Sequence, residues 1–196
     1  MNNIDEIIER IKKINSRYIT LYPQREDAMI MRHIGKIPGE IDHEYLCFLK
    51  KTNGASILDY CFFGLKNNKL GSNVYNIMMD LWHGDNLLTL FFWGFSSTST
   101  GEYFGYLNKK NEHGGHYIGY YSSDNPGKVY IVASSFLIFI NKFISQIEAE
   151  IINDDKLLAL QNNDWFMDLG KLIEDDAEIE IYIQHNSTEY LSTIYI

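Results

Sequence analysis

A few histidines in this chain have spacing that could support metal chemistry. His113 and His116 flank two glycines, so their imidazoles could share a metal ion, with Glu102 or Glu112 adding a carboxylate. Structural zinc sites usually take four convergent ligands, and neither a Cys-x-x-Cys nor a His-Glu-x-x-His pattern is present. The alternative is a glycine-rich turn before a strand, which the sequence favours.

His83 and Asp85 form a second candidate pair, since they could orient each other for acid–base work. No nucleophile stands beside them, and a helix end uses the same residue types, with histidine near the last carbonyls and Gly84 just beyond. The serines of residues 95 to 101, FSSTSTG, lack both the Gly-x-Ser-x-Gly elbow and the phosphate-loop pattern. We therefore expect no catalytic residues, no cofactor and no metal.

The cysteines and the apolar segments bear on the compartment. Cys47 and Cys61 are too few for a disulfide framework, and we interpret both as reduced core thiols. The N-terminal residues 1 to 13 are amphipathic and acidic at their start, unlike a signal peptide. The longest apolar run, residues 87 to 95, is about half of the ~20 residues that a membrane-spanning helix needs. We expect a cytoplasmic protein with no membrane contact.

Apolar spacing predicts one α+β domain over residues 1 to 196. We expect helices at residues 3 to 15, 25 to 34, 38 to 52, 72 to 82, 134 or 135 to 151, and 155 to 169. We expect strands at residues 55 to 65, 87 to 96, 102 to 108, 116 to 121, 128 to 133 and 178 to 185. The predicted fold is a curved antiparallel or mixed sheet of about five to six strands, with N-terminal and C-terminal helices packed around it.

Single residues fit several of these boundaries. Pro38 suits the first turn of the third helix, because its missing N–H costs nothing there. Asn53 and Gly54 suit a left-handed C-cap that ends this helix before the first strand. Ser72 suits an N-cap for the fourth helix.

Acidic residues are concentrated near the C-terminus. The chain has a formal net charge of −9, and residues 148 to 180 hold eleven acidic and two basic residues, so this segment alone has a balance of −9. Such charge argues against direct nucleic-acid binding, which needs clustered Lys and Arg, and favours a basic protein partner. The alternative is an acidic face that serves only solubility. The acids predicted to contact a partner are Asp154, Asp155, Asp164, Asp168, Glu174, Asp175 and Asp176.

Tyrosines are dense in the predicted strands, at residues 103, 106, 117, 120, 121 and 130. Alternation along a strand buries one face and exposes the other, so most of these rings belong to the core. Exposed tyrosines are common anchors of protein interfaces. We predict that Tyr103 and Tyr120 are such anchors.

Several short motifs, together with their order, resemble the SUKH superfamily, also called the Smi/Knr type. The matching segments are IPGE at 37 to 40, the helix with Tyr45, Phe48 and Leu49, NG at 53 and 54, FFGL at 62 to 65, FS at 95 and 96, YFGY at 103 to 106, and the Phe-rich helix. The resemblance covers a core of about residues 1 to 150. The acidic extension, residues 151 to 196, has no counterpart in these motifs.

The resemblance implies an α+β fold and a binding function rather than a reaction. Bacterial members imply an immunity protein that binds and neutralises a secreted polymorphic toxin, and the acidic extension would suit a nuclease or another basic toxin domain. Eukaryotic members imply the alternative, a cytosolic regulatory or scaffold module. We expect a stoichiometric protein complex, and we favour a monomer before binding.

Overall fold

The structure is a computed structural model that describes residues 3 to 14, 16 to 65, 73 to 186 and 189 to 191. Within these residues, eight strands form one sheet in chain order, and each strand is antiparallel to its neighbours. The strands are β1 (Ile19–Leu21), β2 (Ala55–Ile57), β3 (Tyr60–Phe62), β4 (Phe92–Ser97), β5 (Glu102–Lys110), β6 (His116–Ser122), β7 (Val129–Ala133) and β8 (Glu189–Leu191).

The helices of the described residues precede, interrupt and follow this sheet. They are α1 (Ile4–Ile14), α2 (Asp27–Ile34), α3 (His43–Lys51), α4 (Val74–Gly84), α5 (Phe136–Ile152), α6 (Lys156–Asn162), α7 (Leu169–Ile173) and α8 (Ala177–His185), with 3-10 segments at Asn86–Leu88 and Asn163–Met167. The predicted cap Ser72 lies outside the described residues, and α4 takes Asn73 as its N-cap.

The predicted fold class, an α+β sheet with helices packed around it, is confirmed, although the sheet has eight strands rather than five or six. The predicted strand at 55 to 65 is a hairpin of β2 and β3, turned by Leu58 in the left-handed region with φ 55°. The edge strands β1 and β8 have three residues each, which is too short for alternation to reveal them.

The centre of the sheet contains a row of glycines. Gly94 pairs with Gly105, and Gly105 pairs with Gly119, in the registers of β4, β5 and β6. A Cβ atom on Gly105 would lie 2.5 Å from the Trp93 carbonyl oxygen and 2.7 Å from the Phe92 ring. Neighbouring groups therefore occupy the space that a side chain would need.

The long helix α5 packs across one face of the sheet through phenylalanines. Phe139 lies against Phe104 of β5, with ring centroids 4.9 Å apart, and Phe143 meets Phe62 of β3 edge-on at 5.3 Å. The predicted helix is confirmed, and Ser135 is its N-cap, accepting from the backbone N–H of Ile138. These phenylalanines all belong to the hydrophobic core.

The N-terminal helix α1 is also confirmed, and all five of its isoleucines are buried. It packs beside α5, where the guanidinium of Arg10 donates to Glu148, Asn141 and Ser145. The Nε–Oε2 distance from Arg10 to Glu148 is 2.7 Å. Three partners on one helix fix the register of α1 against α5.

The third helix starts later than predicted. Asp42 is its N-cap and accepts from the Tyr45 N–H at 2.8 Å, so α3 begins at His43 and the predicted start at Pro38 is wrong. The Pro38 carbonyl instead accepts from Trp93 Nε1 at 2.8 Å. A side-chain cap outweighs the preference of proline for a first turn.

The predicted C-cap of this helix is also wrong. The helix ends at Lys51, and Thr52 is extended rather than left-handed. Gly54 does have φ 83°, but it lies beyond the helix in the connection to β2. There the Asn53 side chain accepts from the backbone N–H of Leu65, which ties this connection to the end of the β3 region.

Residues 178 to 185, predicted as a strand, form the helix α8. Asp176 caps its first turn, accepting from the Ile179 N–H at 3.2 Å. Ile179 is buried and Ile181 is exposed, which follows a helical period and not the alternation of a strand. Isoleucines at every second position look like a strand pattern, and the cap decides against it.

The segment at 155 to 169, predicted as one helix, is divided. Asp164 leaves the helical region with ψ 20°, and the helix α6 gives way to the 3-10 segment Asn163–Met167. Asp168 is extended and starts α7 as its N-cap. The chain therefore crosses this region as short, capped pieces.

Candidate functional site

The segment from residue 152 to 186, called here the C-terminal layer, covers the aromatic face of the sheet beside α5. Its 3-10 segment inserts Trp165, which is buried, with its ring centroid 6.1 Å from that of Phe139. Phe166 lies on Tyr120 at 4.8 Å and meets Phe104 edge-on at 5.2 Å. Two adjacent rings therefore hold the layer on the sheet.

A buried lysine on α5, Lys142, binds the C-terminal layer through a hydrogen bond. The Nζ of Lys142 donates to the Leu172 carbonyl at 2.6 Å and lies 5.5 Å from the centroid of the Trp165 ring. Burial lowers the pKa of Lys142, against the opposing field of the acids of the layer. The ammonium group satisfies a carbonyl at the end of α7, where a helix leaves its acceptors unpaired.

Asp176 does not belong to the exposed surface, which corrects one predicted partner contact. Its side chain is 1% exposed, and its two oxygens accept from the backbone N–H groups of Ile179 and Ser134 at 3.2 and 2.9 Å. A buried carboxylate with backbone donors on two elements joins α8 to the end of β7. The residue has a structural role.

Three other predicted acids are exposed and also shape the chain. Asp168 caps α7 by accepting from the Gly170 N–H at 2.8 Å, and Asp155 accepts from the Leu158 N–H of α6 at 3.0 Å. Asp154 has φ 61° and pairs with Arg17 at 2.9 Å. Caps of this kind contribute about 1 kcal/mol each, whereas an exposed ion pair contributes about 0 to 1 kcal/mol.

The remaining predicted acids are Asp164, Glu174 and Asp175, and all three are exposed. Partial burial raises the pKa of Asp164, and the nearby Glu102 carboxylate raises it further. Asp175 has φ 57° in the turn before α8. In the described part of the chain no cation pairs with these three carboxylates, so their charge faces outward.

The predicted tyrosine anchors lie within the molecule's own contacts. Tyr120 is half-buried beneath Phe166, and its hydroxyl donates to Glu102 Oε1 at 3.0 Å. Tyr103 is half-buried, with its ring 6.2 Å from that of Tyr121. Tyr120 therefore supports the C-terminal layer, and neither ring is a freely exposed anchor.

The layer has many exposed apolar residues, which the sequence patterns did not predict. Six of the eleven large hydrophobic side chains that are exposed in the described residues belong to it, namely Ile152, Leu157, Leu158, Met167, Leu169 and Ile181. The signal was available, because short helices with this many apolar residues cannot bury them all on one side. An apolar patch with a polar rim is the usual arrangement of a protein interface.

His113 and His116, the histidines considered as metal ligands, lie in different surroundings. His116 is buried with its Nδ1 3.1 Å from Asp42 Oδ2, while His113 is exposed on a turn where Gly114 has φ 83°. Across the described ranges, no three His, Cys, Asp or Glu side chains come together as metal ligands would. His116 instead links β6 to Asp42, the cap of α3.

The second histidine candidate is a helix end. His83 is exposed in the last turn of α4, which ends at Gly84. The carboxylate of Asp85 accepts from the backbone N–H groups of Gly127 at 2.7 Å and Leu87 at 3.1 Å, and from the Tyr121 hydroxyl at 3.3 Å. Asp85 therefore joins the loop at Gly127 to the segment that follows α4.

No model of a known protein family matches this chain, and no curated protein matches it. The similarity to the SUKH superfamily thus stays a prediction from the motifs. None of the helices in the described residues combines the length and the apolar character needed to cross a membrane.

Proposed function

We propose that this protein is an immunity protein that binds a basic toxin domain and neutralises it in a stoichiometric complex. The observation that supports the proposal most is the outward charge of the C-terminal layer. Asp155, Asp164, Asp168, Glu174 and Asp175 are all exposed, and no cation pairs with any of them among the described residues. Unpaired charge of one sign favours a partner of the other sign.

The layer is also anchored, so the backbone that carries its charges is held on the sheet. Trp165 and Phe166 insert into the aromatic face, and Lys142 holds the end of α7. An anchored surface loses little conformational freedom when a partner binds, and this lowers the entropic cost of association. The arrangement suits a preformed binding face.

The physical benefit of the acids is mainly kinetic. Exposed ion pairs contribute only about 0 to 1 kcal/mol each, but a concentrated field of one sign raises association rates by roughly 10 to 10³. Rapid capture is what protection from a toxin requires. We propose the cytoplasm as the place of capture and a complex that buries roughly 1,600 Å² in total.

Co-expression tests this function. If a neighbouring gene encodes a secreted protein with a toxin domain, cells that produce that domain should survive when this protein is present, and the two chains should purify together in equal amounts. Complex formation without protection would favour the regulatory alternative, and the absence of both would exclude immunity to that toxin.

Charge-neutralised variants test the surface. In the quadruple variant the exposed acids are replaced by isosteric amides, as Asp164→Asn, Asp168→Asn, Glu174→Gln and Asp175→Asn. Asparagine keeps the cap at position 168 and tolerates the left-handed conformation at position 175, so the fold should persist. We expect association with the toxin domain to slow by about tenfold or more at low salt, with a weaker salt dependence.

A matched control removes the same charge elsewhere. Its four exposed acids lie outside the layer, and it carries Glu26→Gln, Asp27→Asn, Asp80→Asn and Asp124→Asn. We expect its association rate, measured by stopped-flow fluorescence, to stay within about twofold of the wild type. Equal slowing in both variants would show that net charge matters and the layer does not.

A further inference from the structure

In the C-terminal layer, several large hydrophobic side chains face solvent, whereas an amphipathic helix normally buries them. In α6 the small Ala159 is buried, whereas Leu157 and Leu158 are 69% and 42% exposed. In the next segment Trp165 is buried and Met167 is 74% exposed. Isolated surface leucines need no explanation, but their concentration in one layer does.

The turn between α5 and α6 brings the first part of this surface together. Asp155 N–H donates to the Glu150 carbonyl at 2.8 Å, and the Asp154 N–H donates to the Ile151 carbonyl at 3.1 Å. Ile152 and Leu157, on either side of this tight turn, are both more than half exposed. The same turn carries the exposed carboxylates of Asp154 and Asp155.

The second part of this surface, at residues 167 to 169, again combines exposed apolar side chains with an exposed carboxylate. Met167 and Leu169 are 74% and 57% exposed, and they flank the exposed cap Asp168. The helix α6 continues directly into the 3-10 segment that ends at Met167, so the two parts are consecutive stretches of the same layer. In both parts, exposed apolar side chains and exposed carboxylates are neighbours in the chain.

We infer that Leu157, Leu158, Met167 and Leu169 are apolar anchors that dock an apolar protein surface bordered by Lys and Arg. This inference depends on the proposed function and names the chemistry of the partner's contact surface. The exposed acids steer a positively charged partner toward this surface. The apolar anchors then form a contact from which water is excluded.

Charge complementarity selects this occupant over a second copy of the chain. Two copies meeting through this face would bring the acids of one copy, among them Asp155, Asp164 and Asp168, close to the acids of the other, and like charges repel in a desolvated contact. An anionic membrane is disfavoured for the same reason. Lysine and arginine side chains would instead pair with the acids while their apolar neighbours cover the leucines.

Model peptides test the anchors without the toxin, so this experiment can fail independently of immunity. One peptide is an amphipathic 18-residue helix of Lys and Leu, and the other has the same charge with Ser in place of Leu. We expect the protein to bind the Lys/Leu peptide about tenfold more tightly by titration calorimetry. The methyl NMR signals of Leu157, Leu158, Met167 and Leu169 should shift with that peptide.

Variants of exposed residues complete the test. The double variant Leu157→Ser with Met167→Ser should reduce affinity for the Lys/Leu peptide to that for the Lys/Ser peptide. The control, Met31→Ser with Leu87→Ser, alters residues that are 53% and 42% exposed outside the layer and should bind as the wild type does. Circular dichroism verifies that both variants are folded.

Three outcomes would overturn the inference. Equal affinity for the two peptides would mean that charge alone binds. Equal loss in the layer variant and the control would assign the effect to general surface hydrophobicity. Concentration-dependent dimerisation of the wild type, abolished in the layer variant, would make a second copy the occupant.

Discussion

At the scale of single residues, acids that are alike in the sequence have different tasks. Asp168 and Asp176 both cap helices, but Asp168 is exposed and Asp176 is 1% exposed. Asp176 also accepts a hydrogen bond from a second element, because the Ser134 N–H at the end of β7 donates to its other carboxylate oxygen. Burial, which is a property of the assembled fold, separates an interface candidate from a structural residue.

Lys142 gives a prediction at this scale. Lys142→Met keeps the apolar stem but leaves the Leu172 carbonyl unpaired, while it also removes a charge that burial disfavours. An unpaired buried acceptor costs about 1 to 3 kcal/mol, and the lost charge offsets part of it. We expect a lower free energy of unfolding by urea titration, with faster hydrogen exchange confined to α7 and α8.

The comparison variant is Lys142→Ala, which removes the stem as well and should destabilise the protein further. If Lys142→Met accelerated exchange equally in β5 and β6, the lysine would support the whole core and not the layer in particular.

At the scale of elements, the C-terminal layer consists of short pieces whose ends are defined by side chains. None of α6, α7 and α8 exceeds nine residues, and isolated helices of such length are marginal in water. Caps from Asp155, Asp168 and Asp176, and the insertion of Trp165, therefore decide where these helices begin. Tertiary contacts stabilise what local propensity does not.

Substitutions at Asp176 test this account. Asp176→Asn can keep the cap to Ile179 but not both acceptors, and Asp176→Ala loses both. We expect stability to fall in the order wild type, Asn, Ala, with a loss of about 2 kcal/mol or more for alanine. Urea titration measures the free energy of unfolding of each variant. An alanine variant as stable as the wild type would show that the cap is dispensable.

At the scale of the whole molecule, the core is rich in tyrosines that resist ionisation. Burial raises the pKa of Tyr121 to about 12, helped by the Asp85 carboxylate, and burial also raises the pKa values of Tyr45 and Tyr106 above 10.0. A tyrosine with a raised pKa keeps its proton in the folded state where the unfolded chain has lost it. The folded state then binds more protons, so stability falls as pH rises.

This gives a pH prediction. The free energy of unfolding should be unaffected by these groups below about pH 10 and should decline between about pH 10 and 12. Lys142 acts in the opposite direction, since its lowered pKa favours the folded state as pH rises, but it is one group against several. In the variant Tyr121→Phe, the free energy of unfolding should decline less steeply with pH, by up to about 1.4 kcal/mol per pH unit. Stability that increased over this range would contradict the assignment.

The sequence predicted the parts of the fold that depend on long, regular apolar spacing. The isoleucines of α1 and the phenylalanines of α5 repeat over several turns, and the strands β5 to β7 alternate between turn residues. It failed at Pro38 and at residues 178 to 185, where one hydrogen-bonding cap overrode a local preference. Such caps depend on the positions of backbone N–H groups in the folded chain, which the spacing of apolar residues does not specify.

For the candidate site, the sequence by itself determined that the C-terminal region is strongly acidic, because charge is a property of composition. Only the tertiary structure decided which acids face outward, that Tyr120 is covered by Phe166, and that leucines and a methionine of the acidic segment stay exposed. The physical reason is that burial results from all elements packing together, so no single segment specifies which of its side chains remain in water.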